Sequence, residues 1–377
     1  MTAEHVDAVV VGAGIAGASA AWALARTGRR VALIEQEPQP GVHATGRSAA
    51  TLSETSGTRA VCALAAASRP FLTDPPDGFA DHPLLAPRGL LWIGRRGDEP
   101  ALDAVAAKGR SVSPSVQRLD ADETLAVLPA LTPEAVGGGG VHEPDAMAID
   151  VATLLAAYLR GLRHAGGASF MSTEAIGLSR RQGAWTVATG AGTTLTAPIV
   201  VDAAGAWGDV VAERAGVRPI GLRVLRRTAC LVPAPDDVRS WPLVMDVMSR
   251  CYFEPEAGGL LLSPADETPD VPGDARADEL DVALALERLN ETTTLGVRSV
   301  RRVWAGLRTF AADGVPVVGF DEEQDGFFWL VGQAGAGIKT APAVAAVTAA
   351  LVDGAAPPSD VTAAGVSTED LAPGRLR

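Results

Sequence analysis

Apolar residues fall into short runs separated by glycine-rich or polar stretches, and the first run is the most regular. Val9, Val10 and Val11 are three consecutive β-branched positions, the mark of a strand buried on both faces. The alanine-rich segment after them predicts a helix to about Thr27, and residues 31–34 predict a second strand ending in Glu35. Residues 40–57 read as a polar, Gly/Ser/Thr-rich loop and 59–72 as a helix. Residues 82–145 read as mixed strands and short helices, closing in a flexible glycine run at 137–140. Asp150 suits the N-cap of a helix over 151–164, whose apolar residues recur at helical spacing. Strands are expected at 172–178, 184–189 and 199–201, the last running into DAAGAWG. Residues 216–303 suggest antiparallel strands with a helix inserted near 277–290. A buried strand at 327–332, the turn QAGAGIK and an alanine-rich helix over 340–352 then repeat the strand–turn–helix order of the N-terminus. Only the last dozen residues look frayed.

The first turn has a chemical meaning. Gly12, Gly14 and Gly17 complete G-x-G-x-x-G between a strand and a helix, with Ala16 in the first helical turn. Such glycines give a tight turn, close backbone approach to a pyrophosphate, and close packing of helix on strand. The helix N-terminus offers N–H groups and partial positive charge to phosphate. Glu35, about twenty residues on, is placed to accept ribose hydroxyls and argues against a 2′-phosphate. The two strand–turn–helix ends imply one dinucleotide-binding domain assembled from distant pieces, namely residues 1–80, 146–215 and 304–365. Residues 81–145 and 216–303 would form an interleaved substrate-binding domain of α+β type on an antiparallel sheet.

Composition narrows the class. A chain of 377 residues can bury substantial cores. Its net charge of −13 argues against nucleic acid or an anionic membrane as partner, and no apolar run reaches spanning length. Glu4 and Asp7 stand where a secretory signal would be basic, so the cytoplasm is expected. Cys62, Cys230 and Cys251 are widely spaced and suggest neither disulfides nor a metal site. Of 32 basic residues only Lys108 and Lys339 are lysines, which draws notice to both.

Several ordered motifs together resemble the flavin-dependent D-amino-acid oxidase superfamily, with its glycine oxidase, sarcosine oxidase and D-arginine dehydrogenase branches. They are VVVGAGIAGAS, PGVHATGRSAA, HPLLAPR, IVVDAAGAWGD, RRTACLV, WAGLRTFAADGVPVVGF and GAGIK, and they span nearly the whole chain. The resemblance implies a Rossmann-like FAD-binding α/β domain of the glutathione-reductase type, and hydride transfer from an amine-bearing carbon to the flavin. It implies that Glu35 and Gln36 meet the adenosine ribose, and that Thr45, Arg47, Ser48, Ala49 and Ala50 run beneath the pyrophosphate and ring. Ala175 would touch adenine. Ala204, Gly205 and Trp207 would form a second cofactor loop, and Gly306, Gly335, Ala336, Gly337, Ile338 and Lys339 would lie at the flavin. The stretch GLRTFAADGVPVVG lacks the cysteine that tethers flavin in the sarcosine oxidase branch, so non-covalent FAD is expected.

For the substrate, the resemblance places Arg308, Arg227 and Tyr252 at a carboxylate, a task suited to the arginine fork. Leu90 stands where D-arginine dehydrogenase carries an acid, and Thr51 and Ser56 replace its loop histidine and tyrosine. The implied pocket is roomy and apolar, unsuited to a cationic chain. Lys339 falls where the sarcosine branch pairs a carboxylate, so three cations would gather and suit a small amino-acid-like substrate with one or two carboxylates. The reading is oxidation of an N-substituted glycine, such as an N-carboxymethyl amino acid with an apolar chain, to glyoxylate and a primary amine. An oxidase or dehydrogenase of apolar D-amino acids is the alternative, and a flavin-binding subunit without turnover is another. The electron acceptor, oxygen or otherwise, is left open.

Overall fold

The computed structural model describes residues 4–377. At its centre is a six-stranded sheet in the spatial order Ala168–Phe170, Val31–Ile34, Ala8–Val11, Ile199–Asp202, Phe327–Val331, Val317–Phe320. The first five strands run parallel and the last is antiparallel. Alternation along each strand splits its side chains between two cores. Ala8, Val10, Phe328 and Leu330 pack on one side with Leu24 of helix Ile15–Arg26, Tyr158 of helix Val151–His164, Leu64 of helix Arg59–Thr73 and Val344 of helix Gly337–Val352. Val9, Val11, Phe327 and Trp329 pack on the other with Trp185, Val187 and Leu195 of a four-stranded sheet. Both faces of the central strands are therefore dry, as their unbroken apolar runs require.

A second, nine-stranded sheet lies beyond it. Its long edge pairs Arg223–Val232 with Arg302–Phe310 in continuous antiparallel register. Gly259–Ser263, Tyr252–Glu256, Leu243–Asp246, Leu90–Gly94 and Gly139–Glu143 follow in order. Only the contact of Leu243–Asp246 with Leu90–Gly94 is parallel among those pairings. One face carries Leu91, Val244, Phe253 and Leu262 against Ala285 and Leu289 of helix Glu279–Thr292. The opposite face carries Leu90, Trp92, Leu243 and Tyr252.

Three expectations need correction. The glycine run at 137–140 is not flexible. Residues from Gly139 form a strand, and a Cβ at Gly138 or Gly140 would sit 2.5 Å from Arg95 O or 2.7 Å from Trp92 O, so glycine serves close backbone packing. The strand expected at 172–178 begins at Ala175, because Ser172 turns at φ 52° and Thr173 N is spent on Glu35 O. The C-terminal residues are not frayed: Leu371 is fully buried, Arg375 pairs with Asp313 and Arg377 with Asp321.

Candidate active site

Two adjoining cavities lie between the sheets. The first, of ≈ 220 Å³, is a groove running from Glu35, Gln36 and Ala175, past Gly12, Gly14 and Thr45, to Gly335 and Arg308. Gly12 has φ +102° and a Cβ there would lie 2.6 Å from Ala203 O, so the tight turn admits no side chain. Gly17 is off the groove wall; its Cβ would lie 1.8 Å from Gly12 O, and its hydrogen lets helix and turn touch. Glu35 ends its strand with both carboxylate oxygens oriented, accepting from Ala13 N at 2.7 Å and Glu37 N at 3.0 Å. Helix Ile15–Arg26 starts without a side-chain cap on its N-cap residue, Gly14. Thr45 Oγ1 accepts from Ile15 N at 3.0 Å, and Ala16 in the first turn lines the groove. An elongated groove with a Gly-only turn, a helix N-terminus and an oriented carboxylate fits a dinucleotide.

Most of the other expected cofactor residues also line this groove: Ser48, Ala49, Ala204, Gly205, Trp207, Gly306, Gly337 and Ile338. Trp207 packs against His43 with the rings tilted and their centres 4.7 Å apart. Ala50, Ala336 and Lys339 line only the second cavity. Arg47 borders the groove, but its guanidinium is spent on Ala305 O at 2.8 Å, Val42 O at 3.1 Å and Asp274 at 2.5 Å, so it clamps the groove's floor to the second sheet and has no charge to spare for phosphate. None of the three cysteines lines the groove.

The second cavity, of ≈ 210 Å³, opens at Arg308, Arg227 and Tyr252, which line both. Its far wall is apolar, built from Leu90, Trp92, Leu243 and Met245, while Thr51 and Ser56 border it from the loop. Arg308 stands at the junction under Gly335, whose φ of +79° and missing Cβ leave room for the guanidinium. It makes no hydrogen bond or ion pair among the described residues. Burial pushes its pKa down, Tyr252 favours its charge and Arg227 opposes it. A recessed guanidinium with no protein acceptor calls for an anion from outside.

The other two expected cations are engaged. Arg227 donates Nε to Asp266 O at 2.7 Å and Nη2 to Glu267 at 2.9 Å, and lies over the Tyr252 ring. Lys339 is not free to bind a carboxylate. Its buried ammonium donates to Ser53 O at 2.9 Å, Ser56 O at 2.8 Å and Ser56 Oγ at 2.6 Å, which uses all three hydrogens. Burial pulls its pKa down to about 8. Lys108 caps Gly57 O at 2.7 Å, so both lysines of the chain hold the loop at 53–57.

Two acids escaped the sequence reading. Glu143 is fully buried and accepts from Ser53 Oγ, Glu54 N and Thr55 Oγ1, fixing the same loop from its other side. Glu254 is buried beside the pocket and accepts from Thr51 Oγ1 at 3.3 Å. Burial pushes its carboxyl up to about 7. The apolar wall expected around Leu90 thus has a buried acid behind it, on a neighbouring strand of the same sheet. The signal was the alternation in CYFEP, which puts Glu254 on the face of Tyr252.

The chain resembles glycine oxidase of Geobacillus kaustophilus (strain HTA426), with 27% identity over 363 residues and 93% of each chain covered. It also resembles glycine oxidase of Bacillus licheniformis at 25% over 372 residues, covering 93% and 94%. The crystal structure of glycine oxidase from Geobacillus kaustophilus superposes with a TM-score of 0.82 at 25% identity, over 94% of this chain and 96% of that one. L-proline dehydrogenase from P. horikoshii shares the fold, with a TM-score of 0.85 at 19% identity over 100% and 98%. The family model for FAD dependent oxidoreductases (DAO) matches residues 7–351. The groove, its glycine turn and these likenesses together place the chain in that family, as an FAD-dependent oxidoreductase of glycine-oxidase-like sequence.

Proposed function

We propose that the protein oxidises the Cα–N bond of an N-substituted glycine, releasing glyoxylate and a primary amine after water adds to the imine. Bound FAD supplies the acceptor for the hydride. The observation that carries this reading is Arg308, an unpaired cation recessed where the cofactor groove meets the second cavity. A substrate carboxylate on Arg308 brings the adjoining carbon to the junction, with Tyr252 as a second donor, and leaves the nitrogen substituent to run along Leu90, Trp92, Leu243 and Met245. With Lys339 tied to the loop and Arg227 paired, the site supports one carboxylate more strongly than two. An N-carboxymethyl substrate therefore ranks behind one whose substituent is chiefly apolar. The same anchor and wall would accept an apolar D-amino acid, giving a 2-oxo acid and ammonia, and product identity separates the two.

FAD is proposed to bind non-covalently. Acid precipitation of the purified protein should leave FAD in the supernatant; flavin retained in the pellet would refute that. Truncating one partner of a buried charge pair costs roughly 2–5 kcal/mol. Arg308→Met should therefore lower kcat/KM by about two to three powers of ten while FAD stays bound. Unchanged kcat/KM would remove Arg308 from the substrate site.

A further inference from the structure

Strand register decides what the second cavity meets at its far end. Leu243 pairs with Leu90 and Met245 with Tyr252. One two-residue step along that antiparallel pair brings Glu254 beside Leu243. Val244 and Phe253, the residues between, point into the opposite core. Glu254 therefore belongs to the face whose other members, Leu90, Leu243, Met245 and Tyr252, line the cavity. Thr51, which also lines it, donates to Glu254 Oε2, and Oε1 has no hydrogen-bond partner among the described residues. Glu254 itself is not among the lining residues and sits behind Thr51; a buried acid beside an apolar wall is costly, and it makes no salt bridge among the described residues. Arg88 favours its charge from the preceding turn but spends Nη1 on Pro255 O, and Glu256 opposes its charge from the same strand.

We propose that Glu254, reached past Thr51, is a specificity-determining residue that accepts a hydrogen bond from an ammonium or hydroxyl group at the distal end of the substrate's apolar chain. This placement rests on the carboxylate anchor at Arg308. The substrate class becomes an N-substituted glycine whose substituent is apolar along its length and carries a donor at its tip. Because the carboxyl loses its proton near neutrality, preference for a cationic tip should rise with pH.

Perturbation of the flavin spectrum in the FAD-loaded protein reads binding without turnover. The probes are n-alkanoates of four to six carbons and their ω-amino counterparts, titrated at pH 6 and pH 8. A hydrogen bond to a charged group is worth about 1.5–3 kcal/mol, roughly ten- to hundredfold. A carboxyl that titrates near 7 is about one-tenth ionised at pH 6 and about nine-tenths at pH 8, so wild-type protein should favour the best ω-amino acid over its alkanoate by about five- to tenfold more at pH 8 than at pH 6. Glu254→Gln should abolish the pH dependence of this ratio, and Glu254→Leu should tighten alkanoates while weakening ω-amino acids. A ratio unaltered by both variants overturns the assignment of Glu254 alone. Alkanoate binding that survives Arg308→Met overturns the anchor, and this placement with it.

Discussion

At the scale of single residues, Glu254 leaves a signature in stability as well as in binding. Its carboxyl is raised from 4.5 to about 7 by burial. Below pH 4.5 folded and unfolded forms both hold the proton, and no cost arises. Between those values the unfolded chain releases it while the native protein keeps it, so stability falls as pH rises and levels off above 7. The full effect is about 3 kcal/mol. The stability gain of Glu254→Gln over wild type should therefore grow between pH 4.5 and 7.5 in paired denaturant titrations; a pH-independent difference would show that the carboxyl is not held neutral. Leu90→Glu should penalise apolar substrates by roughly 1–3 kcal/mol in kcat/KM, the range for one altered pocket contact. Arg308, Tyr252 and the glycine turn could be read from sequence because motif context fixed their surroundings. Lys339 was read as a carboxylate partner from its place in GAGIK, a resemblance that says nothing of the three loop oxygens its ammonium meets here.

Among the elements, two devices shape the site. The turn before helix Ile15–Arg26 tolerates nothing larger than hydrogen at Gly17, whose Cβ would be 1.8 Å from Gly12 O. Gly17→Ala must shift backbone against backbone, and should yield protein that retains little FAD, measured as flavin-to-protein absorbance ratio; full retention would show that the turn yields. The loop at 53–57 is held by Lys339 and Lys108 on its carbonyls and by Glu143 on its donors. Lys339→Met leaves buried carbonyls without donors, at about 1–3 kcal/mol each. It should speed amide exchange across 53–57 and raise KM for carboxylate substrates alike; unaltered exchange would deny Lys339 this positioning role. The order of elements was legible where a strong periodic or capping signal marks them, as at Val9–Val11 or Asp150, and was left coarse over 82–145 and 216–303. The packed glycines at 137–140 were not, because a glycine run reads as loose until the backbones that press on it are known.

For the molecule as a whole, the two sheets divide the labour. The six-stranded sheet and its turns form the groove, the nine-stranded sheet supplies Arg227, Tyr252 and Arg308, and the cavities meet where the two approach. The C-terminal residues close the first sheet's edge, since Arg377 pairs with the buried Asp321 that also accepts from Trp329 Nε1. In the proposed reaction a carboxylate anchored on Arg308 brings the C–N bond to FAD. Anaerobic mixing of the FAD-loaded protein with N-butylglycine and, separately, D-leucine tests it most directly. The flavin should bleach with release of one equivalent of glyoxylate from N-butylglycine, and FAD-bound Arg308→Met should lose the bleaching. Flavin that stays oxidised with both substrates, or bleaches equally well without Arg308, would contradict it.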